Sequence, residues 1–504
     1  MNTPPSTFQS STTTIILITM KFIYYYYYIA YHHHQLYVVV YSLLFARVRS
    51  SSSSFPPSFL RFALEHRDRT NPALTDKENA TMTTLAASDL NTQVDESVSI
   101  KHLYNKHRAE IDELKRLAPP PATEVDGTPG DGLVCKYDDL FYLRYVLSFP
   151  GDQRRAAEAV KFNFDFRASE AQIERIKKCC TGEVKNDFAI LEAEKWNVAG
   201  PLGIDENMNR IVGRGVLKEN TGEGFVIVVR IGLCKQEEMV NSLTFDEQKG
   251  MQLLHREAGF QYVDKLTRST GLLCKQVLFF DLKGASLSSM NDSRTRGIQA
   301  EVSNIGKKCY PQLVDKLAIV NAPSWFAALL KVMKAVLPKS TLEKIELFSS
   351  TDSLWSSEWA CRRLNRTNMP CFLGGNLPDS ELTPQLSGKC LHETPLPCVS
   401  LKPRSRESVP IVVSNPGKHV VKYLVSVLNR GVSFAITFVP RDANTKSKEA
   451  TVMRVNGKIE ASNGPIRDSL IITRPGTLNF IFDNSHSMMR EKKIKYIISI
   501  EPKE

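Results

Sequence analysis

The chain has 504 residues, a formal charge of +11 and 42% hydrophobic residues. That length predicts two or three domains with a sizeable core, and the 24% charged content excludes wholesale disorder. Beyond residue 50 no stretch is apolar enough to span a bilayer, which excludes a polytopic membrane protein.

The charge is concentrated at one end. Residues 409–504 hold 15 Lys and Arg against 8 Asp and Glu, whereas residues 82–408 hold 43 against 42. A basic end on a neutral body predicts an acidic surface as partner, either an anionic membrane or a nucleic acid. Nucleic acid is disfavoured, because aromatic residues do not interleave with the basic ones. The ten cysteines form no C-x-x-C pair and do not cluster with histidine. Free thiols in a reducing cytosol are expected, with no metal site and no disulfide framework.

Residues 1–81 contain a tyrosine-rich, apolar tract interrupted by Lys21 and His32, His33 and His34, then a serine run. Two readings stand: an N-terminal membrane anchor, or a low-complexity extension with the working protein starting near Met82. Residues 82–131 are expected to hold one amphipathic helix and a linker. Ile100, Leu103, Tyr104, Ile111, Leu114 and Leu117 recur at helical spacing, and Pro119, Pro120 and Pro121 stop the helix. Residues 138–168 predict a helical hairpin split at Pro150-Gly151, within a helical region of 132–190.

Four apolar, β-rich runs follow, at 225–231, 277–282, 317–321 and 345–348, with helical stretches between them. Near-continuous apolar strands alternating with helices predict a largely parallel sheet covered by helices, in a domain of 191–380. Residues 323–338 are apolar around most of a helix, through Trp325, Phe326, Leu329, Leu330, Met333, Val336 and Leu337. Such a helix is either an ordinary core element or a lid over an apolar cavity. Residues 381–408 read as a Pro- and Ser-rich linker. Seven short β runs with turn signals then predict a β-sandwich over 409–504.

Catalytic constellations are missing. Gly284-Ala285-Ser286-Leu287-Ser288 lacks the second glycine of a nucleophile elbow, and Gly213-Arg214-Gly215 lacks the third of a dinucleotide fingerprint. Asp281 ends a strong strand and is expected to fix a loop or cap a helix rather than to catalyse. No enzyme activity and no cofactor is expected.

The stretch Tyr310-Pro311-Gln312, residues 317–345, residues 369–375 (MPCFLGG) and the strand VLFFDLKG at 277–284 together resemble the CRAL-TRIO lipid-binding domain. Residues 138–168 resemble the helical subdomain of that family. Residues 410–500 resemble a GOLD domain, most clearly at 475–500. The order, CRAL-TRIO then GOLD, is similar to that of supernatant protein factor and the patellins. The resemblance implies an α/β CRAL-TRIO domain with an N-terminal helical subdomain, followed by an all-β GOLD-like sandwich. It implies a lipid-binding or lipid-transfer protein that holds one hydrophobic ligand, phospholipid or isoprenoid-like, in a lidded pocket. The alternative is a lipid sensor or adaptor in vesicle trafficking that transfers nothing.

On this resemblance Val226, Val228, Leu278, Phe280 and Val320 line the pocket floor. Trp325, Phe326, Leu329, Leu330, Met333 and Leu337 form the lid. Lys344 matches a lysine that helps to hold the phosphate in phosphatidylinositol binders. Gln312 stands where those proteins carry an acid, and Phe149 and Pro150 where they carry an Arg-Lys pair. Arg490, Lys492, Lys493 and Lys495 are candidates for docking on an anionic membrane, with trafficking proteins as further GOLD partners. A cytoplasmic, peripherally membrane-associated protein is expected.

Overall fold

A computed structural model describes residues 96–121, 136–198, 224–285, 293–324, 326, 342–392, 394–441 and 451–503. The described helical region opens with helix α1 (Ile100–Leu117), which buries Leu103, Ile111 and Leu114. Helices α2 (Asp139–Ser148) and α3 (Gln153–Arg167) form the expected hairpin. Asp138 and Asp152 cap them by accepting N–H groups of Phe141 and Arg155, and Gly151 takes the positive φ of the turn. The three helices share one core, in which Ile111 and Leu114 pack with Phe141, Tyr142, Tyr145 and Val160. Helices α4 (Glu170–Thr181) and α5 (Phe188–Lys195) complete this region.

Strand β1 (Gly224–Arg230) leads through α6 (Gln236–Ser242) and α7 (Phe245–Thr270) to β2 (Lys275–Asp281). A capping box between Thr244 and Glu247 starts α7, and Gly271 ends it at φ 70°. Helix α8 (Ser293–Cys309) joins β2 to β3 (Val314–Val320), and β4 (Ile345–Leu347) follows. The four strands pair in sequence order, every pair parallel. Two ion pairs, one fully and one partly buried, fasten the helical region to α7. Arg167 donates two hydrogen bonds to Glu257, each 3.1 Å, and Arg144 lies 3.5 Å from Asp264 and donates to Thr267.

The sheet order has a geometric consequence. Successive parallel strands added in one direction by crossovers of one hand carry all their connections on one face. Members of those connections (Met251, Leu254, Ile298, Val302 and Phe326) indeed cluster with Phe225, Leu278, Phe280, Leu317 and Ile319. The opposite face carries Val226, Val228, Val277, Phe279, Ala318 and Val320. It is covered by the chain after β4, including α9 (Thr351–Trp355) and α10 (Glu358–Arg363), through Leu354, Ala360, Met369 and Leu373.

The C-terminal region is all-β, with two antiparallel four-stranded sheets. One has the order β10 (Ile466–Ile472), β7 (His419–Val427), β12 (Lys492–Pro502), β5 (Cys398–Leu401). The other runs β6 (Arg406–Val413), β11 (Gly476–Asp483), β8 (Gly431–Pro440), β9 (Thr451–Glu460). Tyr423, Phe434, Phe480 and Phe482 fill the space between the sheets, with ring centroids 5.3–6.2 Å apart. Among the described residues the sandwich thus has eight strands. Strand β5 and the start of β6 lie inside the segment expected to be a linker, because four residues of Cys398–Leu401 pair with β12 despite their Pro- and Ser-rich flanks. No helix among the described residues is long and apolar enough to cross a membrane.

Candidate functional site

The two sheet faces differ in how tightly they are covered. On the face opposite the crossovers, Val226, Val228, Val277, Phe279, Ala318 and Val320 are at most 1% exposed. On the crossover face the central residues Leu278, Phe280, Leu317 and Ile319 are buried, as is Phe326, and partial exposure is confined to the edge strands, at Ile227 and Val229 of β1 and Ile345 and Leu347 of β4. An incompletely covered apolar floor is what a hydrophobic ligand requires.

This geometry splits the expected pocket set. Leu278 and Phe280 lie on the crossover face with Phe326, so these three come together. Val226, Val228 and Val320 belong to the opposite core and cannot line the same cavity. The reason is the period of two along a strand: Val226 pairs with Val277, so its side chain shares the face that Leu278 avoids. Ile227 and Val229, one residue on in each case, hold the places first assigned to Val226 and Val228. Trp325, Leu329, Leu330, Met333 and Leu337 lie outside the described residues.

Asp281, at the end of β2, is 2% exposed. It accepts from Lys283 N at 3.0 Å and from Asn321 Nδ2 at 2.8 Å, and lies 3.5 Å from Arg230 Nε. It fixes the loops at the carboxyl edge of the sheet, as expected of a structural aspartate.

The headgroup candidates sit toward the amino edge. Lys344 Nζ lies 3.4 Å from the carbonyl oxygen of Val314, and burial pushes the amine down to about 8. Gln312, at φ 56°, donates to Ser148 Oγ at 3.0 Å. Phe149 stacks on Tyr145 and carries the Arg155 guanidinium 5.6 Å from its ring centroid. Pro150 is exposed in the turn. At the positions where the resemblance would place an acid and a basic pair, the chain thus has a neutral Gln–Ser contact beside an aromatic ring, as the sequence indicated.

Positive charge enters this seam from residues that spacing did not single out. Lys307 and Lys308 end α8, and Lys308 Nζ lies 4.2 Å over the Phe162 ring. Burial, Arg155 and Lys308 together push Lys307 down to about 8. The dipeptide Lys307-Lys308 before Cys309-Tyr310-Pro311 was the available signal. It reads as an ordinary basic helix end until α3 is packed beside it.

At the basic end, Arg490 and Lys493 are exposed, but Lys492 and Lys495 are not. Lys492 is 3% exposed, and Lys495 donates to both carboxylate oxygens of Glu238 on α6, each at 2.7 Å. Around it Ser426 donates to Asn241, and Arg467 donates to the Ser242 carbonyl and pairs with Glu247 at 2.9 Å. Lys495 therefore joins the sandwich to the α/β domain. It faces protein, as does Lys492, so neither is a docking residue for a membrane. No cluster of metal-ligating side chains occurs among the described residues.

The parallel sheet and its crossover helices agree with one comparison. Residues 217–375 match the CRAL/TRIO domain. The chain is 30% identical over 164 residues to the SEC14 cytosolic factor of Yarrowia lipolytica, which covers 32% of this chain and 30% of that protein. It is 22% identical over 208 residues to the phosphatidylinositol/phosphatidylcholine transfer protein SFH11 of Arabidopsis thaliana, covering 39% and 54% respectively. With Patellin-3 of Arabidopsis thaliana it shares 21% over 419 residues, 81% of this chain and 77% of that one. The chain thus spans under a third of the first of these relatives and about half of the second. The matched span, residues 217–375, contains the four-stranded sheet, and the helical region and the β-sandwich flank it.

Proposed function

We propose that this protein binds one hydrophobic ligand, a phospholipid or similar lipid, and carries it between membranes. The observation that carries the reading is the asymmetry of the CRAL/TRIO sheet. One face is sealed, while the other leaves Ile227, Val229, Ile345 and Leu347 partly uncovered beside Leu278 and Phe280. Burial of an acyl chain there is favourable by about 0.8 kcal/mol per methylene, and no covalent step is needed. The lid expected over residues 323–338 belongs to this reading. The sandwich is read as a GOLD domain that docks the carrier on membranes.

The named activity of SFH11 supports a phosphatidylinositol or phosphatidylcholine ligand. A phosphate-bearing headgroup suits the basic cluster of Lys307, Lys308 and Arg155 better than an uncharged isoprenoid does, with Lys344 as a separate candidate.

Native mass spectrometry of the purified chain, with organic extraction of whatever co-purifies, tests this. One lipid per chain is the expected result. A folded chain that stays empty after incubation with mixed liposomes would overturn the carrier reading and favour an adaptor in vesicle trafficking.

A further inference from the structure

The loop from β11 to β12, residues 484–491, is braced at both feet. Asn484 is fully buried. Its backbone N–H donates to the Ser405 carbonyl at 2.9 Å, and its side-chain amide donates to the carbonyls of Lys402 (2.9 Å) and Arg490 (3.0 Å). The Ser487 N–H donates to the Asn484 carbonyl, and the Ser487 carbonyl accepts from Arg404 N, both at 3.0 Å. At the far foot Asn429 exchanges hydrogen bonds with the Glu491 carbonyl and the Lys493 N–H, each at 3.1 Å.

This bracing holds two methionines in solvent. Met488 is 69% and Met489 88% exposed, the highest values for large apolar side chains among the described residues. Exposing them is unfavourable, and the hydrogen bonds fix the loop in a form that keeps them out. The segments that brace it, 401–407 and 483–493, hold Lys402, Arg404, Arg406, Arg490, Lys492 and Lys493 against Glu407, Asp483 and Glu491. All six basic residues except Lys492 are exposed.

We infer that the Met488–Met489 tip is a wedge that enters the headgroup–acyl boundary of an anionic bilayer, with Arg404, Arg490, Lys402 and Lys493 as its basic collar. An apolar tip ringed by cations matches the interface of such a membrane, where the tip leaves water while the collar stays at the phosphates. Methionine is unbranched and adapts to a fluid surface. A protein partner fits less well, since the tip spans two side chains and lacks the Trp or Tyr anchors that dominate protein interfaces. The wedge rests on the docking half of the proposed function and is independent of the pocket.

The test is co-sedimentation of the full chain with phosphatidylcholine vesicles, with and without phosphatidylserine. Bound lipid per chain is measured in the same preparations. Met488→Ser with Met489→Ser should weaken binding to anionic vesicles by about tenfold per methionine, at unchanged lipid content. Arg404→Gln with Arg490→Gln should weaken it severalfold and flatten its salt dependence. Tryptophan placed at 489 (Met489→Trp) should shift its emission to the blue when anionic vesicles are added. Unchanged vesicle binding by the double serine variant overturns the wedge. So does an unshifted Met489→Trp emission on bound vesicles, or failure of the unaltered chain to bind either vesicle. An unaltered chain that binds anionic vesicles but carries no lipid counts against the pocket alone.

Discussion

Glu238→Ala removes the α6 partner of Lys495, 257 residues away in sequence, and so probes only the seating of the sandwich on the α/β domain. An exposed ion pair contributes under about 1 kcal/mol, whereas removal of one partner from a buried pair costs roughly 3–5 kcal/mol. The Lys495 side chain is 11% exposed and Glu238 23%, which places this pair between those limits. A loss of about 2 kcal/mol is expected, since the stranded ammonium keeps partial access to water. If seating is what protects the strand, that loss makes amide exchange in β12 and α6 roughly 30-fold faster. Lys495→Met alone should cost less, because a carboxylate at 23% exposure rehydrates more easily. The double variant should recover at least about 1 kcal/mol relative to the sum of the singles, because neither charge is left unpaired. Hydrogen–deuterium exchange read by mass spectrometry gives all three values on the intact chain. Exchange in Glu238→Ala within threefold of the unaltered protein, or strict additivity in the double variant, would refute a role for this pair in seating the sandwich.

Gly464→Ala should loosen the same seam, because a Cβ there would lie 2.3 Å from the Phe245 ring and the glycine sits at φ 74°. Faster exchange at the start of α7 is the readout. Val228→Phe and Val229→Phe are neighbours with opposite expected outcomes. The first overpacks a site 1% exposed and should cost about 1–3 kcal/mol in urea unfolding, and the second should leave stability nearly unchanged but reduce bound lipid. Equal effects on lipid content would contradict the facial assignment. Lys344 provides a pH test. Its folded-state value, about 8, lies below the ordinary 10.5, so between the two the unfolded chain binds more protons and stability rises with pH. Lys344→Met should stabilise the ligand-free protein by on the order of 1–3 kcal/mol at pH 7 and remove that rise. An anionic headgroup against the amine would reverse the picture, with lipid affinity falling above about pH 8 in the unaltered protein only.

Much of the architecture was legible because local signals agreed with the tertiary answer. Pro150-Gly151 split the hairpin where the chain turns, and the four apolar runs became four parallel strands. What escaped was direction. A strand buried on both faces is apolar at every position, so Val226 and Ile227 look alike in sequence and only the pairing and crossovers separate them. The basic end failed in the same way. Lys492, Lys493 and Lys495 form one run in sequence, but strand alternation, the strand pairing of β12 and the carboxylate of Glu238 leave only Lys493 of the three in water. The positive charge of the sandwich is therefore divided. One part seats the domain through Lys495, and another part, Arg404, Arg490 and Lys493, is exposed near the Met488–Met489 tip. A sandwich that met the membrane through Lys495 would have to leave the half-buried Glu238 without its partner. If the wedge docks on a bilayer as proposed, the charges that hold the two domains together and those offered to the membrane are therefore different residues.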